Sequence, residues 1–288
     1  MGDTLQRFLF ENLQIRGELV HLDATWRAVL ERHDYPEPVR EMLAQSMVAG
    51  ALLAATLKFE GSITLQVQGD GPISLLVVEA TAERTLRGMA QWQGEVPAGD
   101  LKARFGSGRI VITIDSGRGD RYQGIVALEG DSLSDALDNY LERSEQLATR
   151  MWLAYDGERA SGLLVQKLPE QTGADPDAWD RVVTLGQTIT GAELLDLQPK
   201  EVIHRLFHEE DIRLFEPEAV SFRCSCTRER VRSALRGLGR EELQDILAQQ
   251  GTISVNCDFC NQHYGFDAVD VEQLFAEQPQ PTVTPTRH

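Results

Sequence analysis

Phe222-Arg223-Cys224-Ser225-Cys226-Thr227 opens the stretch that decides how this chain is read, and Cys257-Asp258-Phe259-Cys260, running on to Tyr264-Gly265-Phe266, closes it. The four cysteines are the only ones in 288 residues. The pattern is C-x-C, then positions 227–256, then C-x-x-C. Two close pairs of soft ligands suit a tetrahedral ion, above all zinc. A C-x-x-C pair lets the backbone fold back so that both sulfurs face one point; C-x-C is tighter. Thiolates that bind a metal can also be oxidised, and neighbouring ones can pair as disulfides. Two readings follow, a structural zinc clip and a redox switch.

The cysteines frame a small module. Thr227 is placed to cap a helix through Leu238, Gly239 interrupts, and Glu241 to Gln250 forms a second helix. Thr252–Val255 and Tyr264–Phe266 predict a hairpin with the C-x-x-C at its turn, and Val269–Phe275 a last helix. Structural zinc is worth on the order of 10–16 kcal/mol in finger peptides, more than so small a core supplies, so metal removal is expected to unfold the module. Arg228, Arg232, Arg236 and Arg240 recur every four residues. The plain reading is a solvated basic face; the sharper ones are a nucleic-acid contact, or cations that favour thiolates and pair with acidic linker residues. His263, three residues after Cys260, reads as a surface residue or one that supports the ligands. His204 and His208 are spaced i,i+4 but lack an intervening catalytic Glu, and read as surface residues.

Before the module lies a segment, Trp179 to Pro217, with a helical pattern and poor local support. Val182, Val183, Thr184, Thr188, Ile189 and Thr190 are β-branched, and Gly186 and Gly191 interrupt the run. Each costs a helix from a few tenths to ~1 kcal/mol relative to Ala, so the segment is helical mainly while packed on something. An ordinary interdomain connector would look the same.

Towards the N-terminus, Leu5–Leu22 reads as two extended pieces. Asp23 is placed to cap a short helix to Leu30, and Val39–Leu57 reads as a long helix, apolar on most sides and therefore buried. A β-rich block follows at Ile63–Gln68, Ile73–Val78, Thr85–Met89, Ile110–Ile114 and Tyr122–Leu128, with a hairpin loop at Asp115–Asp120. A helix capped by Ser132 or Ser134 and a hairpin at Met151–Tyr155 and Gly162–Val165 complete it. The expected fold class is α+β: an antiparallel-leaning sheet domain with packed helices over residues 1–170, a helical linker over 171–221, a zinc-binding module over 222–276, and a Pro-, Thr- and Gln-rich disordered tail over 277–288.

The net charge of −17 argues against broad binding to nucleic acid or anionic membrane, which rests on excess Lys and Arg. The N-terminus lacks the basic and apolar run of a signal peptide, and Met47–Leu57 is too short to span a bilayer. A cytoplasmic location is expected, where thiols stay reduced. No Walker loop, G-x-G-x-x-G or G-x-S-x-G is present, so an enzyme is not expected. A thiol oxidoreductase would need a βαβ unit before Cys257, which is missing.

The motif residues also carry a resemblance. Phe222–Arg230, Val255–Asn261 and Tyr264-Gly265-Phe266-Asp267 closely resemble the switch region of the 33-kDa heat-shock protein family, the redox-regulated holdase chaperones of bacteria. Asp3–Phe8, Arg16-Gly17-Glu18, Tyr35-Pro36, Leu57-Lys58-Phe59-Glu60-Gly61 and Gln66–Pro72 are similar to that family's N-terminal landmarks. The resemblance implies one zinc ion on Cys224, Cys226, Cys257 and Cys260 in a reduced, inactive form. It implies that oxidants release the zinc and form disulfides Cys224–Cys226 and Cys257–Cys260. Module and linker then unfold, exposing a surface that binds unfolding client proteins without ATP, and the active form is a homodimer. Within the linker, Trp179, Val182, Val183, Leu194, Leu195 and Leu197 are the expected client-binding residues. The competing reading is a cytosolic zinc ribbon that binds nucleic acid through Arg228, Arg232 and Arg236 in its metal-bound state.

Overall fold

Alternating side chains set the first two strands, β1 (Thr4–Phe10) and β2 (Ile15–Leu22), and send their residues to opposite faces. Leu5, Val20 and Leu22 enter one core; Phe8, Phe10, Ile15 and Leu19 enter another. The computed structural model describes residues 2–57, 61–119, 121–169 and 175–276. The expected tail over 277–288, the boundary near 170–174, Asp120 and the landmark Lys58-Phe59-Glu60 lie outside these.

The chain continues through α1 (Ala24–Leu30), α2 (Glu37–Thr56), β3 (Ser62–Gly69), β4 (Ile73–Thr81), β5 (Thr85–Trp92), α3 (Leu101–Phe105), β6 (Gly108–Asp115), β7 (Arg121–Ala127), α4 (Leu133–Ser144), β8 (Thr149–Tyr155) and β9 (Ala160–Lys167). Then come α5 (Ala178–Gly186), α6 (Gly191–Asp196), α7 (Pro199–Phe207), β10 (Ile212–Leu214), β11 (Glu218–Ala219) and β12 (Ser221–Phe222). One sheet has the order β10-β1-β2-β9-β8, with β11 also on β1; the other runs β12-β5-β4-β3-β6-β7. The described pairings in these sheets are antiparallel except β12 with β5. The α+β, antiparallel-leaning expectation holds.

Helix α2 is buried along most of its length, as its all-round apolar pattern requires. It packs on β4 and β5 of one sheet and on β2 and β9 of the other. The close approach needs a missing side chain: a Cβ at Gly162 of β9 would stand 2.4 Å from Val48. The opposite face of the first sheet is covered by α5, α6 and α7, whose Val182, Leu194, Leu195, Val202, Ile203, Leu206 and Phe207 share a core with Phe8, Phe10, Ile15, Leu19 and Leu163.

One local expectation needs correction, and the structure adds elements beyond the sequence pattern. Asp23 makes no side-chain cap on α1. The Asp3 carboxylate does so instead, accepting the N–H groups of Asp23 (2.6 Å), Ala24 (3.0 Å) and Thr25, because the β1–β2 pairing brings residue 3 to that helix end. Helix α3, which the sequence pattern did not show, is capped by Asp100. The residues after Phe207 are more than connector: they add β10, β11 and β12 to the two sheets. Strands of two or three residues are too short for an alternating pattern to register.

The backbone divides into two compact units, Met1–Arg223 and Cys224–His288. In the second, α8 (Arg228–Leu238) and α9 (Arg240–Gln250) precede the hairpin β13 (Ile253–Asn256)–β14 (His263–Phe266) and α10 (Ala268–Ala276). Its core is Leu235, Leu243, Ile253, Phe266, Val271 and Leu274. Thr227 caps α8 through the Arg230 amide, as expected.

Candidate metal centre and the docked linker helices

The C-x-x-C turn is a backbone knuckle. The Asn261 amide donates to the Cys257 carbonyl at 2.8 Å and the Cys257 amide to the Gln262 carbonyl at 3.0 Å, with Asn261 at φ 56°. Amides of Cys260 and Phe259 are directed at the Cys257 sulfur, and that of Gln262 at the Cys260 sulfur. Across the knuckle, the C-x-C loop is tied down by Arg230, which donates to the Ser225 carbonyl (3.0 Å) and hydroxyl (2.6 Å).

These two loops bring the four ligand sulfurs within 4.8 Å of one another. Cys224 and Cys257 are 3.7 Å apart, Cys226 and Cys260 3.3 Å. Four sulfurs about 2.3 Å from one ion at tetrahedral angles stand about 3.8 Å apart, so the donor set fits such an ion. All four cysteines are half-buried. Burial pushes the Cys257 and Cys260 thiols up; hydrogen bonding with the other three cysteine sulfurs adds to the rise at Cys260, whereas at Cys257 the amides of Cys260 and Phe259 oppose it. Sulfurs this close ionise together only around a cation, whose charge inverts that tendency. The Tyr264 hydroxyl donates to Cys226 Sγ at 3.2 Å, and that bond pushes the phenol up to about 12. Tyr264 was not singled out from the sequence; a tyrosine on the strand that leaves the knuckle was the available signal.

Three of the arginines are engaged within the second unit. Arg228 pairs with Asp270 at 2.9 Å and lies over the Phe266 ring; Arg240 pairs with Glu272 at 3.2 Å and lies over Phe275. Arg236 donates to the Leu274 carbonyl at 2.9 Å. They hold α8 and α9 to α10 and β14. His263 is exposed and bonded to Asn256 at 2.9 Å. His204 and His208 are exposed, and among the described residues no third ligand joins them.

In the first unit, Val182, Leu194 and Leu195 are buried against the sheet, with Trp179 and Leu197 packed at the edge of the same core; Val183 is half-buried and lies outside it. Trp152 of β8 is the socket for α5: a Cβ at Gly186 would meet its indole at 2.4 Å. Two donors hold the end of α6. His21 of β2 is bonded to the Leu194 carbonyl at 2.7 Å, and Arg159 donates to the Leu195 carbonyl at 3.1 Å and to Asp196 at 3.0 Å. No local pattern signals these contacts, which span 36, 37 and 173 positions.

The fold and site define a two-sheet α+β domain followed by a thiol module built for a tetrahedral ion. Comparison gives the family. The model of the family described as Hsp33 protein matches residues 3–267. The chain is 54% identical over 286 residues to the 33 kDa chaperonin of Nitrosococcus oceani, covering 99% of each chain. It is 48% identical over 277 residues to that of Escherichia coli, covering 94% of each. The crystal structure of the 33 kDa chaperonin (heat shock protein 33 homolog) of Thermotoga maritima superposes with a TM-score of 0.83 at 23% identity, covering 94% of this chain and 97% of that one. The chain belongs to the Hsp33 family. Among the described residues no helix is long and apolar enough to cross a membrane.

Proposed function

We propose that this chain is a redox-regulated, ATP-independent holdase chaperone of the cytoplasm, held inactive by a zinc ion on Cys224, Cys226, Cys257 and Cys260. The observation that carries the reading is the convergence of the only four cysteines within 4.8 Å, in a unit with a very small core. Zinc, when bound, supplies a dication that keeps four thiolates together and much of the unit's folding energy. Oxidation takes two electrons from each thiolate pair: two peroxide molecules become four hydroxide ions as two S–S bonds form, and the ion loses its ligands. All six sulfur pairs lie within 4.8 Å, so proximity does not select a pairing; Cys224–Cys226 and Cys257–Cys260 are proposed from the family resemblance.

Loss of the second unit's fold then releases α5 to α7, whose inner face, including Trp179, Val182, Leu194, Leu195 and Leu197, with Val183 beside it, binds unfolding client proteins. The active form is a homodimer. An acidic chain, −17 overall, stays soluble while exposing apolar surface. The nucleic-acid reading loses support because Arg228, Arg236 and Arg240 are engaged within the unit.

The test is peroxide treatment of reduced, zinc-loaded protein, following zinc with a chromogenic chelator, thiols by titration, and scattering from a heat-denatured client. Zinc and thiols are expected to disappear together as client aggregation is suppressed. Equal suppression before and after oxidation would sink the proposal.

A further inference from the structure

Helix α6 is only six residues long, Gly191–Asp196, and cannot hold itself together. Its first turn is closed by its own residues: the Thr190 hydroxyl accepts the Glu193 amide, and the Glu193 carboxylate accepts the Thr190 amide. Its last turn leaves carbonyls that need donors from outside. Strand β2 and the β8–β9 turn provide one each, Nε2 of His21 for Leu194 and the Arg159 guanidinium for Leu195. His21 is 5% exposed, and its Nδ1 is buried with no partner.

We infer that His21 is the positioning residue that holds α6 on the sheet, and that it does so only as neutral imidazole, so that protonation loosens the linker without any change at the cysteines. A neutral ring with its proton on Nε2 donates to Leu194 and buries a bare nitrogen at Nδ1. A protonated ring must bury a charge and a second N–H with no acceptor. The charged groups that face it are Arg159, bound to Asp156 and Asp196, and Asp3, already bound to the α1 amides. Burial lowers the His21 pKa first; the Leu194 bond opposes it, Arg159 lowers it further, and Asp3 opposes that. The sign follows. A proton binds more readily to released than to docked His21, so docking is full above about pH 6.5 and weakens by up to about tenfold per pH unit below it, until the docked ring itself titrates. Two buried carboxyls titrate the opposite way. Glu18 is raised to about 7 and Asp138 to about 8, chiefly by burial, and their protonation favours the folded unit as pH falls. The measurement must therefore be local.

The consequence for client binding rests on the function proposed above; the latch itself does not. The experiment is amide exchange of reduced, zinc-loaded protein between pH 7.5 and 5.5, expressed as protection factors for the Leu194 and Leu197 amides, which close α6 on Thr190 and Glu193. Protection is expected to fall on acidification in the unaltered chain and to stay flat in His21→Gln, which keeps a donor and cannot titrate. A flat profile in the unaltered chain, or a matching fall in His21→Gln, overturns the latch. NMR titration of the His21 ring in the unaltered chain decides the matter if the variant does not fold. A midpoint below about 6.5 in the folded reduced protein, returning towards 6.5 in denaturant, supports the latch; an identical midpoint in both overturns it. Peroxide activation with no acid effect removes the latch and leaves the chaperone reading intact. Acid release of α6 without client binding leaves the latch and removes the assignment of this face to clients.

Discussion

Cys260 shows how much rests on a single side chain. Its sulfur is one of four within 4.8 Å, and a serine hydroxyl is a poor ligand for a soft site. Cys260→Ser is expected to lower zinc content from one ion per chain to nearly none and to abolish the ordered circular dichroism of the second unit. Metal analysis beside a spectrum checks both; retention of a full zinc complement would remove Cys260 from the ligand set. Tyr264 calls for a subtler outcome. Tyr264→Phe removes the hydroxyl bond to Cys226 Sγ while leaving the ligands, and zinc release to a competing chelator is expected to quicken about 10–100-fold. The cysteines were legible in the sequence because ligand chemistry and spacing are local properties. Tyr264 was not, because its role exists only where a strand passes the knuckle. Glu18 is a third case. Buried beside Arg16 at 3.9 Å, it is raised from 4.5 to about 7 by desolvation, with Arg16, Arg7 and Arg84 pulling it back. The folded first unit therefore holds a proton that the unfolded chain has released. That contribution is full below pH 4.5 and is lost as pH rises through about 7. Denaturant titrations at pH 5 and 8 are expected to show wild type losing about 1–3 kcal/mol more than Glu18→Gln across that interval.

At the scale of elements, α5 shows why propensity alone misleads. Val182, Val183, Thr184 and Gly186 are expected to weaken it as an isolated helix. The same Gly186 also admits Trp152, whose ring lies 2.4 Å from where a Cβ would be. The glycine is both a weak point and a docking point. Gly186→Val is expected to raise helix propensity slightly yet release α5, because overpacking costs about 1–3 kcal/mol against a short helix that stands on packing. Limited proteolysis after residue 177 in the reduced protein measures it, and unchanged resistance would show that Trp152 moves aside at little cost. Strands β10 to β12 make the same point from the other side. A dipeptide such as Ser221-Phe222 has no pattern of its own and becomes a strand because β5 offers unpaired backbone beside it.

Across the whole molecule the division at Arg223 and Cys224 separates two kinds of stability. The first unit has a core extending from Leu5 through α2 to Val220. The second has Leu235, Leu243, Ile253, Phe266, Val271 and Leu274 and a set of arginine pairs. Half-exposed ion pairs contribute only about 0–1 kcal/mol each, so the metal is expected to dominate. Chelation under reducing conditions should remove one calorimetric transition and leave that of the first unit in place. Persistence of both transitions at unchanged temperatures would show that the second unit folds without metal.

By itself the sequence determined the paired spacing of the four cysteines, the long buried helix, the hairpins and the low helix propensity of the residues before Cys224. Each follows from composition or spacing within a few residues, where local chemistry and steric preference act. Only the tertiary structure decided that Asp3 caps α1, that His21 and Arg159 grip α6, that Trp152 seats Gly186, and that the arginines bind α10. Those contacts join residues far apart in the chain, and their energies come from burial and from partners that the folded backbone alone brings within reach.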